Sequence, residues 1–487
     1  MFATMIRQMR YGAAVLRGGR LDPVNLRGTV ADLRATIEEF GDPGEEASAM
    51  LPGGAEPDPE IHRVMADRRL RRTVQDAAAH VPYYRRHFAE AGIDPRHITL
   101  DSLAMLAPTP KSALRAAPSA FVSERSEPVL LAQTTGTTGT PTSVWFSRYE
   151  LELAAALSAM SLLMVSGCRS RHIVMSTISS RATLAKTVVQ QALAMIGAGF
   201  IAMGTVDPLI ILDRLAAPLH VPGKEPQVTH LITTASLLGR IVQAAEEDGW
   251  LPADFGLREI LVGGEVLSDP LRLRAEAALG ARVIDAYSMT ETLPTAGLSC
   301  EAGHLHLSSE QAHVEILDPL TGAPTLPGEV GGLVVTPYAQ YRDTTLLLRY
   351  ETGDLVRRLP DAETPACSLS AMPATSRILG RQSGGVRDLT TRAVLDVLQA
   401  ERAIPLPTRF AVVEDPGGPL LYAVAGRAAT PALLARVEER SRHLPLAGVV
   451  LVKDLDELPL PCPARADLIE HSFELPTEGR RPVRSGR

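Results

Sequence analysis

Lysine is nearly missing from this 487-residue chain: of 49 basic residues only Lys111, Lys186, Lys224 and Lys453 are lysine, and the other 45 are arginine. Any chemistry that needs an ammonium group must choose among those four positions. Cysteine is as scarce, and Cys168, Cys300, Cys367 and Cys462 are too few and too scattered for a disulfide framework or a closely spaced CxxC pair. A reducing cytoplasm is the expected location. The longest mainly apolar runs, Leu153 to Val165 and Ala192 to Val206, fall short of the roughly 18 residues a membrane span needs, and both read as buried elements. Arg7, Arg10 and Arg17 interrupt the apolar residues of the N-terminus, so no signal-peptide core is expected. A net charge of -7 is mild for this length and gives no global reason to expect a nucleic-acid partner. With 45% hydrophobic and 22% charged residues, a mainly disordered chain is excluded, and the length suits about three domains' worth of sequence.

Three regions are expected: an N-terminal helical arm with its loop (1–60), a large unit (61–380) and a small C-terminal unit (381–487). Residues 41–60 are rich in Gly, Pro and acid, as in an exposed separating loop. From Pro59 to Ala91 an Arg-rich amphipathic pattern predicts helices. Apolar β-type runs then alternate with helical stretches: 172–177 with 181–198, 229–234 with 235–247, and 259–264 with 267–279. That alternation predicts an α/β fold with parallel sheets covered by helices on both faces. From about residue 305, short strands at His313 to Asp318, Gly332 to Thr336 and Thr345 to Tyr350 suggest a barrel-like antiparallel subdomain. A helix at 389–402, strands near 408–413 and 420–425, a helix at 430–442 and a strand at 447–453 form a small α+β unit. No internal repeat is visible.

The most informative stretch is Thr134, Thr135, Gly136, Thr137, Thr138, Gly139 and Thr140, set between an apolar run and Val144-Trp-Phe. Its hydroxyls and free backbone N–H groups can wrap a polyphosphate. The GxxxxGK[ST] pattern is absent, so this is not a Walker-type loop, and taken alone it reads equally as a Thr/Gly surface turn.

In company with four later blocks, the chain resembles the adenylate-forming superfamily of acyl-coenzyme A synthetases and adenylation domains, and within it the phenylacetate-coenzyme A ligase branch. The blocks are Val262-Gly-Gly-Glu, Asp285-Ala-Tyr-Ser-Met-Thr-Glu, Tyr350-Glu-Thr-Gly-Asp-Leu and Arg377-Ile-Leu-Gly-Arg, in the family's order. Val81-Pro-Tyr-Tyr-Arg-Arg-His-Phe and Thr109-Pro-Lys-Ser-Ala-Leu-Arg are looser matches to that branch, so the resemblance spans about residues 65 to 385. It implies that 61–380 is an ATP-binding adenylation domain joined by a hinge to a mobile small domain. The implied reaction is attack of a carboxylate, aromatic by analogy, on the α-phosphate of ATP with loss of pyrophosphate, followed by transfer to coenzyme A.

The resemblance assigns roles that suit the residues. Glycines and Thr hydroxyls of 134–140 follow the charge of the leaving pyrophosphate. Gly263 and Gly264 let the backbone approach adenine, with Glu265, Asp285 and Ser288 in the same nucleotide motifs. Tyr287 stacks on adenine, Thr290 donates to the α-phosphate, and Glu291 holds magnesium (Mg2+) as a hard oxygen ligand. Asp354 clasps the ribose diol, and Arg381 stands at the hinge. Each has a plainer alternative, a core tyrosine for Tyr287 and a solvated acid for Glu291 or Asp354, and it is their order together that favours the site.

The C-terminal unit departs from the family. After Arg381 the sequence runs Gln382-Ser-Gly-Gly-Val-Arg-Asp, without the acids expected directly there. The family's C-terminal lysine is missing from Leu458-Pro-Leu-Pro-Cys-Pro-Ala-Arg-Ala-Asp-Leu, and Arg465 is the nearest cation, although its planar fork is no simple substitute. Lys453 is expected to be a surface lysine at a strand end. Cys300, His304, His306 and Cys367 fall where relatives can carry zinc. The partner cysteines expected after Cys367 are Ser368 and Ser370, so four tetrahedral ligands are not established and buried or loop cysteines are expected. Residues 184–206 and Thr234-Ala-Ser-Leu-Leu read either as the wall of an acyl pocket or as ordinary core. The amphipathic arm (1–40) reads as an intramolecular or homodimer-packing helix rather than a membrane or partner surface.

Three functions are consistent with this pattern. The first is the coenzyme A ligase just described. The second keeps adenylation but changes the acceptor to an amine, a carrier-protein thiol or another small nucleophile, or the activated acid to nitrite. The third is a non-catalytic nucleotide-binding relative. The retained Glu291 and Asp354 count against the third, since a chain without catalysis has no physical need for a magnesium ligand and a ribose clasp.

Overall fold

The computed structural model describes residues 2–41, 59–134, 141–360, 367, 369, 372–381 and 389–459. Thr135, Gly136, Thr137, Thr138, Gly139 and Thr140 of the Thr/Gly loop, most of the 41–60 segment, Gln382 to Asp388, Ser368, Ser370, Cys462 and Arg465 lie outside the described residues.

The N-terminal arm is two helices, α1 (Phe2–Arg17) and α2 (Pro23–Phe40). Asp22 starts α2 by accepting the Val24 N–H at 2.9 Å, with Pro23 in the first turn where no donor is needed. Its apolar stripe, Leu26, Val30 and Ile37, enters the main core against α6 (Arg148–Met164). The arm therefore packs within its own chain. Helices α3 (Pro59–His80) and α4 (Pro82–Ala91) match the pattern read from Pro59 to Ala91, and α5 (Lys111–Ala116) follows.

Strands β1 (Pro128–Gln133) and β2 (Ser143–Ser147) pair antiparallel, and beyond them Thr134 N–H bonds Thr142 O at 3.0 Å and Thr142 N–H bonds Thr134 Oγ1 at 2.9 Å. Ser147 and Glu150 then cap α6 reciprocally, so the chain turns directly from strand into helix. Glu150, 1% exposed, also accepts the backbone N–H groups of Asp343 and Thr344 and pairs with Arg342 at 3.3 Å, which fixes the 342–345 loop against the hairpin.

The central sheet has eight strands. Those labelled β3 (Ile173–Ser176), β4 (Gly199–Ala202), β5 (His230–Thr233), β6 (Glu259–Gly263) and β7 (Arg282–Ser288) run parallel in the order β4-β3-β5-β6-β7. Helices α7 (Thr183–Ile196), α8 (Pro208–Ala216), α9 (Ala235–Asp248) and α10 (Asp269–Leu279) connect them. Within β3, Val174 enters one core, shared with α6 and α7, while Ile173 and Met175 enter the other, shared with α8, α9 and α10. The two-sided burial explains the near-continuous apolar strands. Beyond β7 the sheet turns antiparallel through β8 (Ala296–Ser299), β9 (His304–Leu307) and finally β13 (Ala374–Ser376).

The barrel-like part takes the form of a four-stranded antiparallel sheet: β10 (Ala312–Leu317), β11 (Val330–Pro337), β12 (Tyr350–Arg357) and β14 (Gly380–Arg381). The strand expected at Thr345 to Tyr350 is absent. Leu346, Leu347 and Leu348 are buried in an irregular segment, Arg349 adopts φ +46°, and β12 begins only at Tyr350. A short apolar run signals burial, not strand pairing. The C-terminal unit contains α11 (Thr391–Gln399), β15 (Phe410–Asp415), β16 (Gly418–Val424), α12 (Pro431–Ser441) and β17 (Gly448–Val452), around a small core of its own.

Candidate active site

The expected nucleotide residues come from the carboxyl ends of β6 and β7 and from β12 and β14. Gly263 pairs with Ala286 across β6 and β7, and a Cβ at Gly263 would stand 3.1 Å from the Ala286 carbonyl oxygen; Gly264 follows at φ +83°. Both positions favour glycine for steric reasons. Glu265 accepts the Ser236 N–H at 2.6 Å, so its carboxylate serves the start of α9.

Asp354 is the centre of one cluster. The Tyr287 hydroxyl donates to Asp354 Oδ2 at 2.7 Å, and Arg381 Nε stands 3.2 Å from Asp354 Oδ1. The register explains the second contact, since Asp354 and Arg381 are direct partners across β12 and β14. Burial, reinforced by the Asp354 charge, holds the Tyr287 phenol well above its ordinary range, so it is a fixed donor at neutral pH. Asp354 is 5% exposed, whereas the Arg381 side chain keeps 45% of its surface.

Glu291 is the centre of the other. It lies in the turn after β7 with no exposed surface, Lys111 Nζ stands 2.9 Å from its Oε1, and the Tyr350 hydroxyl donates to the same oxygen at 3.3 Å. Oε2 has no hydrogen-bond partner among the described residues. An orphan carboxylate oxygen is the donor type that magnesium takes, so Glu291 fits that role through Oε2. Thr290 is half-buried beside it and Ser288 is exposed at the end of β7.

Asp285 is paired with a residue of the C-terminal unit. Arg392, on α11 of the C-terminal unit, stands 3.2 Å from Asp285 Oδ2 and also donates to the Ile378 carbonyl. Burial pushes the Asp285 carboxyl up, and Arg392 opposes that shift. Around this pair Arg377 binds Asp269, Asp269 N–H donates to Asp396 Oδ1 at 3.0 Å, and Ser268 bonds Gln399. Leu406 packs on Gly239 of α9, where a Cβ would meet it at 3.3 Å. The C-terminal unit is therefore docked on the edge that carries the nucleotide motifs.

Lys111, Tyr350 and Arg392 had no assigned part in the sequence reading. Lys111 carried a signal, being one of four lysines and set in the Thr109-Pro-Lys-Ser segment. Arg392, among 45 arginines, carried none. Lys453 is exposed just after β17, as expected. Leu184, Val188, Ala192, Leu193 and Ile196 belong to the main core, the plainer of the two readings of that segment.

The chain is 28% identical to a phenylacetate-coenzyme A ligase of Pseudomonas putida over 305 residues, which cover 61% of this chain and 66% of that one. It is equally 28% identical to a phenylacetate-coenzyme A ligase of Thermus thermophilus over 300 residues, 60% of this chain and 65% of that one. The match thus spans just under two thirds of each relative. Among solved structures, 2-hydroxyisobutyryl-CoA ligase in the postadenylation state superposes with a TM-score of 0.68 at 20% identity, over 87% of this chain and 90% of that one; the likeness is one of fold. The family model described as AMP-binding enzyme matches residues 55–340, more than half of the chain. The chain belongs to the AMP-binding enzyme family.

Proposed function

We propose that the protein is an AMP-forming ligase that activates a carboxylic acid, aromatic by its likeness to phenylacetate-coenzyme A ligases, and passes the acyl group to coenzyme A. The observation that supports this reading is the convergence of two fixed carboxylates from distant motifs at the carboxyl end of β7: Asp354, bonded to Tyr287, and Glu291, in the turn that follows. One clasps, the other is held beside a cation.

In this reading Asp354 accepts the ribose hydroxyls while Tyr287 and Arg381 hold its two oxygens in place. The orientation is set before substrate arrives, so little entropy is lost on binding. Lys111 meets the phosphates from the large unit, and the Thr/Gly residues 134–140 follow the departing pyrophosphate. Thr290 donates to the α-phosphate oxygen on which charge gathers. Magnesium, held by Glu291, supplies charge neutralisation at the phosphates when bound. The C-terminal unit (381–487) turns about Arg381 after separating Arg392 from Asp285, and Arg465 comes from that unit to the reacting carboxylate. The proposal includes a cytoplasmic location and a homodimer, the latter because Met5, Met9 and Leu16 of α1 are 49%, 67% and 56% exposed. Among the described residues no helix is long and apolar enough to cross a membrane.

Pyrophosphate release across a panel of aromatic and aliphatic acids, with and without coenzyme A, tests the reading. Acid-dependent release with acyl-coenzyme A detected by mass spectrometry supports it. Release without thioester formation transfers the acyl group to another acceptor, and no release with any acid leaves a nucleotide-binding protein.

A further inference from the structure

Each cation placed so far around the two carboxylate clusters is matched by an acid. Lys111 is paired with Glu291, Arg381 with Asp354 and Arg392 with Asp285. Arg342, buried beneath them, is paired with Glu150 and also donates to the Leu293 and Thr345 carbonyls at 2.7 and 3.1 Å. Arg115 is different. It is half-buried and forms no ion pair among the described residues, and its Nε is sealed from solvent without a hydrogen-bond partner there. A charged donor left so is costly, and a native structure keeps one where something outside the chain completes it.

Local folding brings this arginine to the Glu291 cluster. Arg115 follows Lys111 by one turn of α5, so the two side chains leave the same face of that helix. The start of α5 is fixed on β12: Thr109 N–H donates to the Arg349 carbonyl at 2.8 Å, and Glu351 N–H donates to the Thr109 carbonyl at 3.0 Å. Thr109 is thereby bridged to Tyr350, whose hydroxyl bonds Glu291. Burial and then the Glu291 charge raise the Tyr350 phenol, and the charges of Arg381 and Arg115 oppose that rise. Arg115 therefore bears on the same hydroxyl as Glu291.

The Thr/Gly stretch needs a cation from elsewhere. No Lys or Arg lies between Arg125 and Arg148, so β1, β2 and the residues joining them carry no positive side chain. The segment that carries α5 is tied to β2 by way of Thr345. Val122, a few residues past α5, bridges Thr345, and Thr345 Oγ1 accepts the Trp145 N–H at 3.0 Å. The ammonium of Lys111 is a point charge already set against Glu291. A guanidinium offers more, because its Nε–H and one Nη–H make a fork that matches two oxygens of a phosphate.

We infer that Arg115 holds the terminal phosphates of ATP, the part that leaves as pyrophosphate, through its Nε–H and Nη–H groups, and so lets the protein tell ATP from AMP. The inference rests on the AMP-forming reading. As the bond between the α-phosphorus and the bridging oxygen breaks, its electron pair passes to that oxygen and the negative charge on the departing pyrophosphate rises. Arg115, protonated throughout, meets that charge. The nucleotide that remains keeps one phosphate, which lies outside the fork.

The test uses the full chain and needs neither acid nor coenzyme A. ATP, AMP and pyrophosphate are titrated calorimetrically into the parent, Arg115→Gln and Arg115→Lys. Arg115→Gln should bind ATP and pyrophosphate at least about tenfold more weakly, and AMP as the parent does. Arg115→Lys should fall between the two, since it keeps the charge and loses the fork. The urea midpoint of both variants should hold, because Arg115 has no ion pair among the described residues to lose. Equal losses for ATP and AMP in Arg115→Gln, or ATP affinity at the parental level, overturn the inference while the AMP-forming reading stands. So does Arg115→Lys that binds ATP no better than Arg115→Gln, or a urea midpoint that drops in both variants, which would make Arg115 a folding residue. A parent that binds neither nucleotide contradicts the AMP-forming reading itself, and this inference with it.

Discussion

Lys111 Nζ lies 2.9 Å from Glu291 Oε1, so a helix-start lysine of the N-terminal half is paired with a carboxylate that has no exposed surface. In the proposed reading this lysine, one of four in the chain, is the cation that meets the phosphates.

Lys111→Met should leave Glu291 buried without its cation. Breaking a fully buried pair costs roughly 3–5 kcal/mol; because Lys111 keeps 19% of its side-chain surface, a loss of about 2 kcal/mol is expected here. Adding Glu291→Gln to the same protein should recover most of it, read by urea denaturation. Adenylate formation should fall at least about tenfold in Lys111→Met, and an unchanged rate would confine Lys111 to a structural role.

Asp354→Ala should weaken ATP binding by roughly 1.5–3 kcal/mol, about ten- to a hundredfold. The Tyr287 hydroxyl and the Arg381 side chain both lose their acceptor. Calorimetric titration checks this, and unaltered affinity would take Asp354 out of the site.

Stability should fall in acid through the buried histidine pair. Burial lowers His172 to about 3 and His230 to about 4, each helped by neighbouring charges. Both are neutral in the folded chain, while the unfolded chain takes up protons below about 6.5. The unfolded state then binds more protons, so stability drops as pH falls from about 6.5 toward 4, by up to about 1.4 kcal/mol per pH unit for each ring. His230→Asn should flatten the denaturation profile across that window by about one proton, and an unchanged slope would show that His230 titrates normally.

Arg465→Ala should slow the first half-reaction at least about tenfold, about 1.4 kcal/mol of transition-state stabilisation, while ATP binding by the large unit persists. An arginine stays protonated, so its contribution should not titrate near neutrality. A parental rate in this variant would leave Lys111 as the cation of the first step.

Much of the architecture is legible in the sequence because two-sided burial writes it there. The strands at 173–176, 230–233 and 259–263 and the helices after them fall within a few residues of their apolar runs. Thr345 to Tyr350 fails for the same reason that the others succeed: Leu346, Leu347 and Leu348 are buried, but in an irregular stretch between an isolated bridge at Thr345 and the start of β12 at Tyr350. At the site, the ordered motifs identify Tyr287, Asp354 and Glu291, since each motif is local. The partners that tune them are not local. Lys111 is far from Glu291 in sequence, Arg392 reaches Asp285 from another unit, and Cys367 meets His306 only through the return of β13. No single-sequence pattern records such pairings, which depend on how the sheets close.

The central claim is that the Asp354 and Glu291 clusters form an adenylation centre. Exchange of labelled pyrophosphate into ATP tests it most directly, because only a reversible adenylate supports exchange. The account predicts exchange that requires a carboxylic acid, is strongest with an aromatic one, and is lost together with ATP affinity in Asp354→Ala. Exchange at the parental level in Asp354→Ala, or none with any acid while ATP still binds, would contradict it.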